Sequence, residues 1–212
     1  MNFLEKVVLE PGCFLGLATS AIEAYNRETN GFILGLRQPG GRRATLLRAS
    51  YPLQTEDRKP NSVAHGNLLA FDRARSAMRR IHVGLDHLGG FHSHTGTDGA
   101  PSLSDSDLEY VEQEMGWIHA ARPRPWEDRW LEILVAIRKR DYARAHKLGW
   151  SWRRYARKIG CTVALSPNVG YDLTFSGFWV PARSNGGPGK AHVGRPSEVR
   201  LSLPWRRNLR LY

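Results

Sequence analysis

Apolar residues fall in short runs along most of this chain, and only a few stretches space them helically. Phe3–Leu9 reads as a short strand. Pro11 then suits the first turn of a helix running to about Tyr25, because the N–H that proline lacks is unused there. Gly31–Leu36 (GFILGL) is an apolar run of strand length. The turn-forming residues 38–43 join it to a second strand, Ala44–Pro52, as a hairpin. Ala70–Val83 has helical spacing and a basic outer face. Leu88–His94 and Trp130–Ile137 read as buried strands, and Ser102 or Ser104 between them fits the cap of a helix reaching about Met115. Thr162–Ser166 and Tyr171–Val180 form a late hairpin, with Glu198–Leu203 one further strand. Strands and helices mixed without a βαβ repeat predict a mixed sheet with helices packed on it.

Composition adds a core but no membrane span. The 212 residues are 41% apolar with seven Trp, enough for one substantial domain. No apolar run approaches bilayer length, and the N-terminus lacks the layout of a secretory signal. The expectation is a soluble cytoplasmic protein with no membrane partner. Cys13 and Cys161 have neither disulfide nor metal spacing and are expected to be buried.

Charge divides the chain. Residues 1–136 hold 15 basic and 17 acidic groups, a net of −2, whereas 137–212 hold 16 basic and three acidic groups, a net of +13. Such a field favours anionic partners: nucleic acid, an acidic protein or an anionic membrane surface. The expected organisation is a main domain over 1–183, including a basic, aromatic-rich helical segment at 141–159. Residues 184–189 (SNGGPG) read as a flexible linker into a basic extension over 184–212.

The chemistry concentrates in Gly90-Phe-His-Ser-His-Thr-Gly-Thr-Asp-Gly-Ala-Pro-Ser-Leu-Ser-Asp105. His92 and His94 stand two residues apart on a predicted strand and so share one face. Asp105, beyond a loop, is close enough in sequence to return as a third ligand, with Asp107 as the alternative. Two imidazoles and a carboxylate suit catalytic zinc, because three protein ligands leave a fourth position open. A general base is also needed, close to the metal but not on it. Glu28, just ahead of the GFILGL strand, is the candidate. Ser102 and Asp105 also resemble a helix-capping pair.

Two motifs together resemble the JAMM/MPN+ (JAB domain) zinc metallopeptidases. His92, His94, Ser102 and Asp105 match His-x-His, seven residues, Ser, two residues, Asp. Glu28, Gly31, Ile33 and Gly35 match Glu-x-x-Gly-x-apolar-x-Gly. The resemblance implies an α/β fold: a three-layer arrangement with a curved mixed β-sheet flanked by helices, similar to cytidine deaminases. It implies one Zn2+ per chain on His92, His94 and Asp105. Glu28 would be general base toward a water activated on zinc, and Ser102 would steady the oxyanion. The implied activity is a deubiquitinase-like peptidase or isopeptidase cutting after the C-terminus of a ubiquitin-like modifier. The family usually carries Pro after the second His, where this chain has Thr95. Residues 54–67 and 116–128 are candidate walls of a substrate groove. RadC-like relatives with a similar motif are linked to DNA, so a nucleic-acid-associated role for the basic C-terminal third is the alternative.

Overall fold

The computed structural model describes residues 5–37, 44–53, 58–59, 62–63, 68–82, 84–96, 102–120, 126–184 and 190–205. Its elements run β1 (Lys6–Leu9), α1 (Pro11–Glu23), β2 (Asn30–Arg37), β3 (Ala44–Pro52), β4 (Arg58–Lys59), β5 (Ser62–Val63), α2 (Leu68–Ile81), β6 (Asp86–Thr95) and α3 (Asp105–Ile118). There follow β7 (Glu127–Asp141), β8 (Gly149–Arg154), β9 (Ile159–Ala164), β10 (Val169–Ser184), β11 (Ala191–Val193) and β12 (Ser197–Ser202).

The main sheet runs β12-β1-β3-β2-β6-β7-β10-β9-β8, and β12 also pairs with β10. The strands β12, β1, β3, β2, β6, β7 and β10 therefore close into a seven-stranded mixed barrel. This corrects the three-layer α/β expectation: the sheet curls until its edges meet, with three helices packed against it. The physical cause lies in two elements. β10 is long enough to serve two partners: its Gly177–Trp179 pairs with β12, while its Gly170–Phe175 pairs with β9. β12 lies within the expected basic extension and matches the strand expected at Glu198–Leu203. Its alternating Val199 and Leu201 are buried in the core, so residues 197–202 form a barrel strand. Of the expected linker 184–189, Ser184 ends β10 and the rest lies outside the described residues.

The segment 141–159 is also not helical. Residues 149–154 form a strand, β8, whose Trp150 and Trp152 share a face. They meet α1 at Phe14, with ring centroids 5.5 Å away in each case. Phe14 also touches Phe175 at 5.1 Å and Trp205 at 5.5 Å. Trp150 and Trp152 therefore pack inward, from a strand and not from a helix.

Face alternation sets the site. On β7 the odd residues Leu131, Ile133, Val135 and Ile137 join the core that also holds Phe91 and the apolar face of α1. The even residues face the other way. There Trp130 packs with Val111 and Met115 of α3. His92 and His94 share this outer, α3-facing side, because Phe91 points into the core. Cys13 and Cys161 are free and buried, as expected. No described helix is long and apolar enough to cross a membrane.

Candidate metal centre

β6 lies between β2 and β7, and its partners bring the site together. His92 stands opposite Asn30 of β2 and Leu134 of β7. The residue between the two histidines, Ser93, is fully buried and accepts the Thr29 N–H on its hydroxyl at 3.0 Å. The Ser93 N–H in turn donates to the Thr29 carbonyl at 2.8 Å. This pair of hydrogen bonds pins the residue next to Glu28, and Glu28 Oε1 comes within 3.9 Å of His94 Nε2.

The two glycines of the upstream motif have a steric reason. A Cβ at Gly31 would collide with the Tyr51 carbonyl and the Phe91 ring, and one at Gly35 with the Leu46 carbonyl and Leu88. Both strands flanking this stretch approach too closely for a side chain.

The third member of the cluster is Asp107, not Asp105. One ligand atom from each of His92, His94 and Asp107 lies within 4.8 Å of the others. Asp107 Oδ1 is 3.1 Å from His92 Nε2 and 3.9 Å from His94 Nε2. Asp105 opens α3 as an exposed residue, and Ser102 is exposed ahead of it. The stretch Ser-Leu-Ser-Asp-Ser-Asp holds Ser-x-x-Asp twice, and the second copy, Ser104 to Asp107, is the one turned to the histidines. Ser104 caps α3 in a capping box with Asp107. Its backbone N–H and its hydroxyl both donate to Asp107 Oδ2, at 2.7 and 2.8 Å. One carboxylate oxygen is thereby committed to the cap while the other faces the imidazoles.

The sequence reading did not single out Glu132. It is 1% exposed on β7 and lies 2.7 Å through Oε1 from His92 Nδ1. The Trp130 indole N–H donates to its other oxygen at 2.5 Å. A carboxylate on the far nitrogen of a histidine fixes ring and tautomer, leaving Nε2 aimed outward, as in many metal centres. Its sequence signal is a lone acid inside the apolar run WLEILVAI.

Charge and geometry both fit a cation. Glu28, Asp107 and Glu132 place three carboxyl groups around two imidazoles, and a buried excess of one sign needs compensation. Desolvation pulls the His92 pKa down, but the carboxylates of Asp107 and Glu132 outweigh it and raise it to about 10. Burial works against ionised Asp107 as well, yet the two imidazoles and the Ser104 N–H hold its pKa well below the usual range. Glu28 is raised by burial, with a smaller lowering from His94 and His92 and a further rise from Asp107. The buried His92 Nε2 has no aligned hydrogen-bond partner although Asp107 Oδ1 is 3.1 Å away. A buried imidazole nitrogen this close to a carboxylate oxygen is a donor pair that suits a shared ion.

The expected groove walls are only partly described. Within 54–67 the structure shows the small hairpin of β4 and β5, and within 116–128 it shows the end of α3 and the start of β7.

No protein-family profile and no curated protein matches the chain. Among solved structures it is similar to the solution structure of protein DSY2949 from Desulfitobacterium hafniense, a structural-genomics target. The identity is 16%, covering 97% of this chain and 99% of that one, with a TM-score of 0.48.

Proposed function

We propose that this protein is a zinc-dependent hydrolase that cuts the peptide or isopeptide bond following the C-terminus of a ubiquitin-like modifier. The observation that carries the reading is the meeting of His92, His94 and Asp107, with Glu28 beside them. His92, His94 and Asp107 would hold the metal, and the donor set of two nitrogens and one oxygen suits catalytic zinc. When bound, zinc supplies Lewis acidity toward a carbonyl oxygen and makes water acidic enough to react near neutral pH.

The chain's own residues do the rest. Glu132 and the Ser104 cap orient His92 and Asp107 from behind. Glu28 is near the cluster but is not a member of it, which is the place of a general base. As a carboxylate it can take a proton from water and, once protonated, pass it to the departing amine. The modifier as substrate rests on the resemblance carried by Glu28, Gly31, Gly35, His92 and His94. On this reading Asp107 takes the position first assigned to Asp105, and Ser104 stands where Ser102 was expected.

The test offers ubiquitin-like proteins fused through their C-terminal glycine to a reporter domain, with zinc-loaded protein and with a chelator. Cleavage after that glycine, abolished by the chelator and restored by zinc, is the expected result. Zinc-loaded protein that leaves every such fusion and the matching isopeptide conjugates intact would overturn the substrate assignment.

A further inference from the structure

The sheet forks at β10, and the fork carries a second, differently charged cleft. One branch leads to β12 and closes the barrel; the other leads through β9 to β8, the end strand of the sheet. The branches remain joined where the Leu201 N–H donates to the Arg157 carbonyl at 2.8 Å. Between them lies a cavity of about 320 Å³ whose lining includes Trp152, Arg153, Tyr155, Lys158 and Arg200.

Acids are scarce here. Residues 142–171 contain no Asp or Glu but six Lys and Arg. Asp172 is shared by Arg140 and Arg153, and Glu198 by Arg157 and Lys158. Arg200 is exposed and forms no ion pair among the described residues. Five cations thus meet two carboxylates, an excess of three positive charges. Tyr155 adds a flat surface: it is 47% exposed, and its ring lies against Gly160, where a Cβ would strike it. The glycine gives the ring a seat and leaves the remainder to solvent.

We infer that this cleft binds single-stranded nucleic acid, with phosphates against Lys158 and Arg200 and a base stacked on Tyr155. Cations alone would serve any polyanion; an exposed ring among them is what a nucleobase uses and an acidic peptide does not. Stacking on a protein ring needs an unpaired base, so the ligand is a single strand. The site is separate from the His92 cluster in residues and in chemistry, and it does not depend on the hydrolase reading.

The experiment uses full-length protein and a fluorescent oligothymidylate of about 20 nucleotides, read by anisotropy. With about three phosphate contacts the affinity should fall roughly twentyfold between 50 and 200 mM salt. Lys158→Gln with Arg200→Gln should weaken binding about tenfold and flatten that salt slope. Tyr155→Ala should weaken it about fivefold or more while leaving the slope unchanged, and Tyr155→Phe should restore it. Melting curves matching the parent show that the variants are folded. The inference is overturned if the oligonucleotide does not bind, or if these variants bind like the parent. It is equally overturned if polyglutamate or phosphatidylserine vesicles compete as well as unlabelled oligonucleotide, because the cleft would then read charge alone.

Discussion

Thr29 and Ser93 exchange two hydrogen bonds, Thr29 N–H to Ser93 Oγ at 3.0 Å and Ser93 N–H to Thr29 carbonyl at 2.8 Å. The pair fastens the end of the Glu28 segment to the strand bearing both histidines. Ser93→Ala leaves a buried Thr29 N–H without its side-chain acceptor, a loss of about 1–3 kcal/mol. It also frees the backbone beside Glu28. The expected variant binds metal like the parent but turns over more slowly, checked by metal titration alongside fusion cleavage. Parallel loss of metal and activity would mean that Ser93 supports the histidines instead of Glu28.

Glu28→Gln keeps the shape of the side chain and removes its basicity. Metal content should be unchanged, while turnover falls by about 10²–10⁴. In the parent, burial raises the Glu28 pKa, with smaller contributions from the neighbouring groups. The base works only when ionised, so activity should be lost as the pH falls through the Glu28 pKa. Full activity in Glu28→Gln would remove it from the mechanism.

Asp107 and Asp105 make opposite predictions. Asp107→Asn removes a charged oxygen 3.1 Å from His92 Nε2 and should abolish tight metal binding. Asp105→Asn changes an exposed residue in the first turn of α3; it should cost about 0.5 kcal/mol of helix-dipole stabilisation and leave the metal in place. Equilibrium dialysis of the two variants against zinc decides between them, and the reverse result would restore Asp105 as ligand.

Asp105 and Asp107 mark the limit of what is legible in the sequence. The strand periodicity of GFILGL and the shared face of His92 and His94 are local properties, and they appear in the structure as expected. So do α1 after Pro11 and α3 after its serine cap. The stretch SLSDSD contains the ligand pattern in two frames, and which frame is used depends on the length of the loop from His94. That loop has no periodicity to read. Sheet closure was similarly hidden. It depends on β10 serving its hairpin neighbour β9 with one end and β12 with the other, and the second pairing, Gly177 opposite Val199 and Trp179 opposite Ser197, leaves no mark in either strand alone. Trp150 and Trp152 fit a helix or a strand about equally by composition, and packing on Phe14 decides for the strand. Glu132 was the one readable signal that went unused, since an acid in the middle of a buried strand needs a partner.

Glu132→Gln tests that partner. The amide can still meet His92, but it no longer carries the charge that orients the ring and raises its basicity. Zinc affinity should drop about 10–100-fold. Glu132→Asp shortens the side chain and keeps the charge, so it should recover part of the loss. A structural role alone would show as a lower melting temperature with unchanged affinity in the surviving folded protein.

Glu114 lies on the same face of α3 as Asp107, two turns on, and is 6% exposed. Burial raises its pKa, Arg75 opposes this, and Glu132 adds to it, with a result of about 8 against an ordinary 4.5. Across that interval the folded protein keeps a proton that the unfolded chain has released. Stability must therefore fall as pH rises from about 4.5 toward 8, the reverse of the effect of an ion-paired carboxylate. Glutamine resembles the protonated acid and cannot ionise. Glu114→Gln should match the parent near pH 4 and exceed it by roughly 4 kcal/mol near pH 8. Urea melts of both proteins at about pH 4, 6 and 8 make the comparison. Parallel curves would mean that Glu114 is not the group holding the proton.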